Sequence, residues 1–194
     1  MLNPWWARGV ILAANIAMIA IRAPHGKRSR TQRISLDRQG RLESALLTIA
    51  TVAWALPLVW VATPWLSFAE YPSEDWMLAP GALLIALGLW LFARSHADLG
   101  LNWSVSLQVR AHHTLVTRGV YRRIRHPMYT ALLIFSLGHV LALPNWVAGP
   151  AYLIAMLLLI SLRLGPEERL MHERFGVEYS AYQERSKRLI PGVW

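Results

Sequence analysis

The chain contains no cysteine. This excludes a disulfide framework, a thiolate nucleophile and a cysteine-ligated zinc centre. Acidic residues are also scarce, with 11 Asp and Glu against 20 Lys and Arg for a formal net charge of +9. The glycines are scattered, and no Gly-rich loop of the kind that cradles a nucleotide phosphate is evident. The histidines do not follow metal-ligand spacing, since His112-His113 is followed only by His126, so no metal is expected. Repeats and low-complexity tracts are missing too, and the chain reads as one domain.

Apolar material is abundant. The 194 residues are 55% hydrophobic, and the apolar ones gather into five runs: Trp5 to Ile21, Leu42 to Leu66, Trp76 to Ala93, Met128 to Leu143 and Trp146 to Leu164. A bilayer core of about 30 Å asks for about 20 such residues per helix. The pattern therefore predicts an all-α, multi-pass integral membrane protein with about five transmembrane helices. The last two runs are short enough to form a hairpin through Pro144-Asn145. Pro57 and Pro64 should kink or end the second helix. Trp5, Trp6, Trp65, Trp76 and Trp146 lie at run ends, as an interfacial aromatic belt requires. The first run, without a basic leader or a small-residue cleavage pattern, reads as a retained helix.

The excess positive charge does not point to nucleic acid, because it sits in the loops between apolar runs. Seven Lys and Arg lie between Arg22 and Arg41, six between Arg94 and Arg125, and five from Arg169 onward, against none from Ser67 to Asp75. The positive-inside rule then places the N-terminus outside and the C-terminus, with the informative polar residues, in the cytoplasm. The connector from Ala23 to Gly40 is basic enough to touch anionic lipid headgroups.

Two polar constellations could carry chemistry. The first is the block from Gln108 to Tyr129, dense in basic and polar residues from His113 on and ending where a membrane helix should begin. Gly119 permits positive φ or close approach of a ligand, Leu115, Val116 and Val120 can cover a flat ring, and His113, Tyr121, His126 and Tyr129 offer directional hydrogen bonds. The plain alternative is a headgroup-binding juxtamembrane loop. The second constellation is Arg163, Glu167 and Glu168, after the last apolar run. Gly165-Pro166 is expected to break the membrane helix and start another, and Glu167 and Glu168 would then merely complement the new helix dipole. Against that, Arg163 and Glu167 stand four apart near the membrane surface, where an ionisable pair is costly without a task. The tail from Glu167 to Tyr182 reads as an amphipathic helix interrupted near Phe175-Gly176, with Tyr182 and Arg188 as packing and headgroup contacts. His139, inside the fourth run, is an intramembrane ionisable group and a candidate on that ground alone.

Taken together, Asn102-Trp103-Ser104, His113-x-Leu115-Val116-x-x-Gly119-x-Tyr121-x-x-x-Arg125-His126-Pro127-x-Tyr129, Arg163-x-x-x-Glu167-Glu168, Phe175-Gly176-x-x-Tyr179-x-x-Tyr182 and Arg188-Leu189-x-Pro191 resemble the isoprenylcysteine carboxyl methyltransferase family and the related membrane phospholipid N-methyltransferases. The resemblance covers roughly residues 99–194, with 1–98 as N-terminal membrane helices. It implies a methyltransferase that uses S-adenosyl-L-methionine without a soluble Rossmann domain, in a cytoplasmic cofactor pocket formed by the loop before the fourth helix and the C-terminal segment. Carried over position by position, Gln108, His113, Leu115, Val116, Gly119, Tyr121, His126, Pro127, Tyr129 and Glu168 would bind the cofactor, and Arg163 and Glu167 would lie at the methyl-transfer centre. The acceptor, a lipid or lipidated molecule entering from the bilayer, stays open between a prenylcysteine carboxylate and a phospholipid amine. Two other classes compete: a membrane reductase using NADPH on a sterol-like substrate, and a non-catalytic scaffold or transporter.

Overall fold

The computed structural model describes residues 4–30, 34–37, 40–72, 75–103, 108–110 and 114–193. The fold is all-α apart from one short ladder. Its helices are α1 (Pro4–Arg30), α2 (Arg41–Ala62), α3 (Asp75–Leu99), α4 (Pro127–Ala142), α5 (Ala148–Phe175) and α6 (Val177–Arg185). Strands β1 (Ile34–Asp37) and β2 (Gln108–Arg110) pair antiparallel in the loops between α1 and α2 and between α3 and α4. The helices α1, α2, α3 and α5 are long and apolar enough to cross a membrane, while α4 is apolar but only 16 residues long. The chain is a multi-pass membrane protein.

Small residues set how close the helices come. On α3, a Cβ at Gly88 would sit 2.7 Å from the backbone nitrogen of Phe135, and one at Gly81 equally close to that of Ala142. Gly138 of α4 returns the contact against Ile85 and the Gly81 carbonyl. Without a hydrophobic driving force between helices in lipid, such close backbone approach supplies the packing. It pairs α4 with α3 and so fixes where α4 begins.

The turns hold the bundle at the tryptophan end. Asn145 accepts from the backbone N–H groups of Val147 and Ala148 and donates to the Leu66 carbonyl at 2.7 Å, closing the α4–α5 hairpin onto the loop after α2. Trp5, Trp6, Trp65, Trp76 and Trp146 are all exposed there, as a belt should be. Pro64 follows the end of α2, whereas Pro57 is accommodated inside it.

One expectation needs correcting. Gly165-Pro166 does not break the fifth helix, because α5 runs unbroken from Ala148 to Phe175. Pro166 lacks an N–H and so forfeits one backbone bond, but a membrane helix tolerates that loss where neighbouring helices support it. The buried residues Leu159, Ile160, Arg163, Leu164, Glu168 and Leu170 carry the packed face of α5 across the proline. The break comes instead at Gly176, whose φ of +49° suits glycine, and α6 starts directly after it.

Candidate functional site

Because α5 is continuous, Arg163 and Glu167 fall one turn apart in mid-helix, and Glu167 and Glu168 are no helix-start complement. The three project toward the start of α4. Glu167 accepts a short hydrogen bond from the Tyr129 hydroxyl and lies 3.5 Å from both Arg163 Nε and His126 Nδ1. Glu168 accepts from Arg125 Nε at 2.9 Å and from the Arg188 guanidinium at 2.9 and 3.1 Å, with His126 Nε2 at 3.6 Å. Arg163 turns its other edge to Glu43 of α2, with NH1 3.4 Å from Oε1. His126, Glu43, Arg163 and Glu168 are all buried. An ionised group at such depth is stable only when paired, and here carboxylates and guanidiniums alternate.

The chain around this cluster is held by its own tail. Arg125 N–H donates to the Lys187 carbonyl, His126 N–H to the Arg188 carbonyl, and Lys187 N–H to the Arg123 carbonyl. The Arg125 side chain adds bonds to the carbonyls of Ser186 at 2.6 Å and Gln183 at 3.3 Å. Tyr182 donates from its hydroxyl to the Tyr121 carbonyl at 2.5 Å. Together these bonds seat the segment before α4 between α5 and α6.

Gly119 has φ +59°, and a Cβ there would collide with the Asp98 carboxylate. That carboxylate accepts from Val120 N–H at 2.9 Å, so the turn needs a glycine both for its backbone and for the space. Leu115 and Val116 are half-buried in the extended run leading to it, which Asn102 anchors by accepting from Thr114 N–H at 2.9 Å. The backbone of Gln108 pairs with Asp37 in the two-stranded ladder. His113 lies outside the described residues. Pro127 is buried at the first position of α4.

Electrostatics follow from the pairing. Burial pulls the His126 imidazole down, but the carboxylates of Glu167 and Glu168 outweigh it and hold the ring above its ordinary value of 6.5. At 3.5 and 3.6 Å these are ion-pair distances rather than hydrogen bonds, and His126 Nε2 has no hydrogen-bond partner. Burial likewise raises Tyr121 and Tyr179 above the usual phenol range, helped by nearby carboxylates, and it raises Tyr182 to about 12. All three phenols stay neutral donors at physiological pH.

Of the expected site residues, the structure brings His126, Tyr129, Arg163, Glu167 and Glu168 into direct contact and joins Tyr121 to them through Tyr182 and the tail. Sequence reasoning missed Glu43 and assigned no role to Arg125. The signal for Glu43 was an acid in the first turn of an apolar helix, and for Arg125 its position beside His126. Tyr182 and Arg188, expected as packing and headgroup contacts, instead bond to Tyr121 and Glu168. His139 bonds its Nδ1 to the Phe135 carbonyl at 3.0 Å and packs on the Phe135 ring, remote from this centre.

An apolar bundle with buried, mutually paired ionisable groups gathered at one end is an integral membrane protein with a charged centre. A model of the phospholipid methyltransferase family matches residues 76–178. Protein-S-isoprenylcysteine O-methyltransferase A of Arabidopsis thaliana is 30% identical over 155 residues, 78% of this chain and 79% of that relative. The mouse protein-S-isoprenylcysteine O-methyltransferase is 31% identical over 64% of this chain and 44% of its own length. The solved eukaryotic intramembrane Ras methyltransferase, an isoprenylcysteine carboxyl methyltransferase, superposes with a TM-score of 0.57 at 28% identity, covering 82% of this chain and 55% of that one. The chain belongs to the isoprenylcysteine carboxyl methyltransferase family of membrane methyltransferases. It spans most of the plant relative and about half the length of the animal proteins.

Proposed function

We propose that this chain transfers a methyl group from S-adenosyl-L-methionine to a lipophilic acceptor carrying a carboxylate, at the cytoplasmic face of its membrane. The observation that carries the reading is the convergence of His126, Tyr129, Arg163 and Arg125 on the adjacent carboxylates Glu167 and Glu168. The donor set fits the cofactor, because His126 Nε2 and the Tyr179 hydroxyl are buried beside this cluster without hydrogen-bond partners among the described residues. Buried polar atoms are rarely left so, and a polar ligand would satisfy them. The stacked rings of His126 and Tyr129, 5.6 Å apart and inclined by 19°, add a flat aromatic surface. Gln108, His113, Leu115, Val116, Gly119, Tyr121, His126, Pro127, Tyr129 and Glu168 are assigned to cofactor binding, and Arg163 and Glu167 to the transfer centre. The division into scaffold helices (1–98) and cofactor region (99–194) is kept, with Glu43 reaching in from the former. The basic loops face the cytoplasm and anionic headgroups, while the tryptophan end faces outward.

When bound, the cofactor supplies an activated methyl on a sulfonium. Transfer would place the methyl on the acceptor oxygen and leave the carbon–sulfur electron pair on sulfur. The protein's task is alignment and exclusion of water. Glu167, held by Tyr129, Arg163 and His126, is stabilised as a carboxylate and is a poor base. That favours an acceptor with no proton to lose over a phospholipid amine.

Mass spectrometry after incubation with methyl-labelled cofactor tests this with N-acetyl-S-farnesylcysteine and phosphatidylethanolamine side by side. Label is expected on the prenylcysteine carboxyl group. Arg163→Ala and Glu167→Ala should each lower turnover at least about tenfold, a barrier rise of about 1.4 kcal/mol, with cofactor affinity largely kept. Labelling of the amine alone overturns the carboxylate reading, and labelling of neither acceptor overturns methyl transfer to these lipids.

A further inference from the structure

Helix α1 presents an inward stripe of Ala7, Ile11, Ala14, Asn15 and Met18, each at most 8% exposed. Helical spacing puts Arg22, four residues beyond Met18, next on that stripe. Yet Arg22 is exposed. A side chain that continues a buried stripe and is itself open lies where the packing of α1 ends, at the charged end of the bundle. The Arg22 guanidinium lies 5.7 Å from the centre of the Trp103 ring. Trp103 is buried, and its indole N–H points at the Met128 sulfur 3.2 Å away, between His126 and Tyr129 in sequence. Arg22 is also within electrostatic reach of Arg163 and Tyr152 on α5.

The charges around it are already matched. Glu43 and Glu167 face Arg163, and Glu168 faces Arg125 and Arg188. Arg163 already faces two carboxylates inside the protein, at 3.4 and 3.5 Å. Among the described residues no carboxylate lies within ion-pair distance of Arg22. An arginine inside a membrane span without a counter-charge is costly, and such residues mark ligand paths.

We propose that Arg22, exposed beside the buried Trp103 and within electrostatic reach of Arg163, binds the oxyanion end of the acceptor. The inference rests on the methyl-transfer reading and adds to it the residue that holds the acceptor's carboxylate. One carboxylate oxygen pairs with Arg22 while the other attacks the methyl. The product ester is neutral and leaves no anion for the guanidinium to hold. Arg22 therefore holds substrate more tightly than product and favours its release.

The test uses the full chain in a non-ionic, phosphate-free detergent. Calorimetry with N-acetyl-S-farnesylcysteine and with its methyl ester reads binding independently of turnover. The parent is expected to prefer the free acid at least about tenfold, Arg22→Gln to bind both compounds alike, and Arg22→Lys to regain part of the preference. In turnover, Arg22→Gln should raise the acceptor KM about tenfold with kcat and cofactor affinity within twofold. Equal preference for the acid in parent and Arg22→Gln overturns the proposal. So does a loss seen only in phospholipid nanodiscs and absent in detergent, which would make Arg22 a headgroup contact. If the parent prefers the acid, Arg22→Gln does not, and no methyl is transferred, Arg22's role stands and the methyl-transfer reading falls.

Discussion

Glu168 receives two guanidiniums, from Arg125 and Arg188, and still has His126 at 3.6 Å, so its charge is shared among three basic groups. His126 is the member of this set that can change charge in the physiological range. Its raised value has a definite sign. The charged imidazole in the folded protein contributes stability that is fully present below the unfolded value of about 6.5 and is lost as pH rises through the higher folded value. Replacing it by Gln removes the titration. Thermal unfolding of the detergent-solubilised chain should show the parent's Tm advantage over His126→Gln shrinking as pH rises from 6 to 9, each kcal/mol counting for about 2–4 °C in a chain of this size. An advantage that grows with pH would show that the ring is buried neutral and that the carboxylates do not hold its proton.

At the scale of elements, the site is assembled by two continuous pieces of backbone. The first is α5, which carries Arg163 across Gly165-Pro166 in phase with Glu167 and Glu168. The second is the tail 186–189, which runs beside 123–126 and fixes the entry to α4. Arg125 joins them, since its side chain, 9% exposed, bonds both Glu168 and the Ser186 carbonyl. Arg125→Met keeps the aliphatic bulk and deletes both links. Removal of one partner of a buried ion pair costs about 3 kcal/mol. We expect Arg125→Met to lower Tm by about 6–12 °C and to expose the peptide bonds near Ser186 to limited proteolysis. A variant with parental Tm and protease resistance would show that the α6 and tail contacts do not depend on Arg125.

For the whole molecule, the membrane-spanning helices were legible in sequence because each span is a local property: enough apolar residues in a row, with tryptophan at the ends. The α4–α5 hairpin was legible for the same reason, through Pro144-Asn145. The continuity of α5 was not, because Pro166 is a local helix-breaking signal that packing on neighbouring helices overrides. Half of the charged centre was legible through the Arg163 and Glu167 spacing and the His126 to Tyr129 element. Glu43 was not, because its contact with Arg163 joins residues 120 positions apart, and no periodicity encodes such a meeting. The same limit hid Arg22, which in sequence is only the first of a run of basic residues. What these pieces form together is a membrane bundle with one charged end, which we propose binds the cofactor. Calorimetric titration of the detergent-purified chain with S-adenosylhomocysteine, run beside NADPH, measures that most directly. Saturable binding of the nucleoside thioether, weakened by about 1–3 kcal/mol in His126→Ala, is the expected result. Saturable binding of NADPH with no heat from S-adenosylhomocysteine would contradict it.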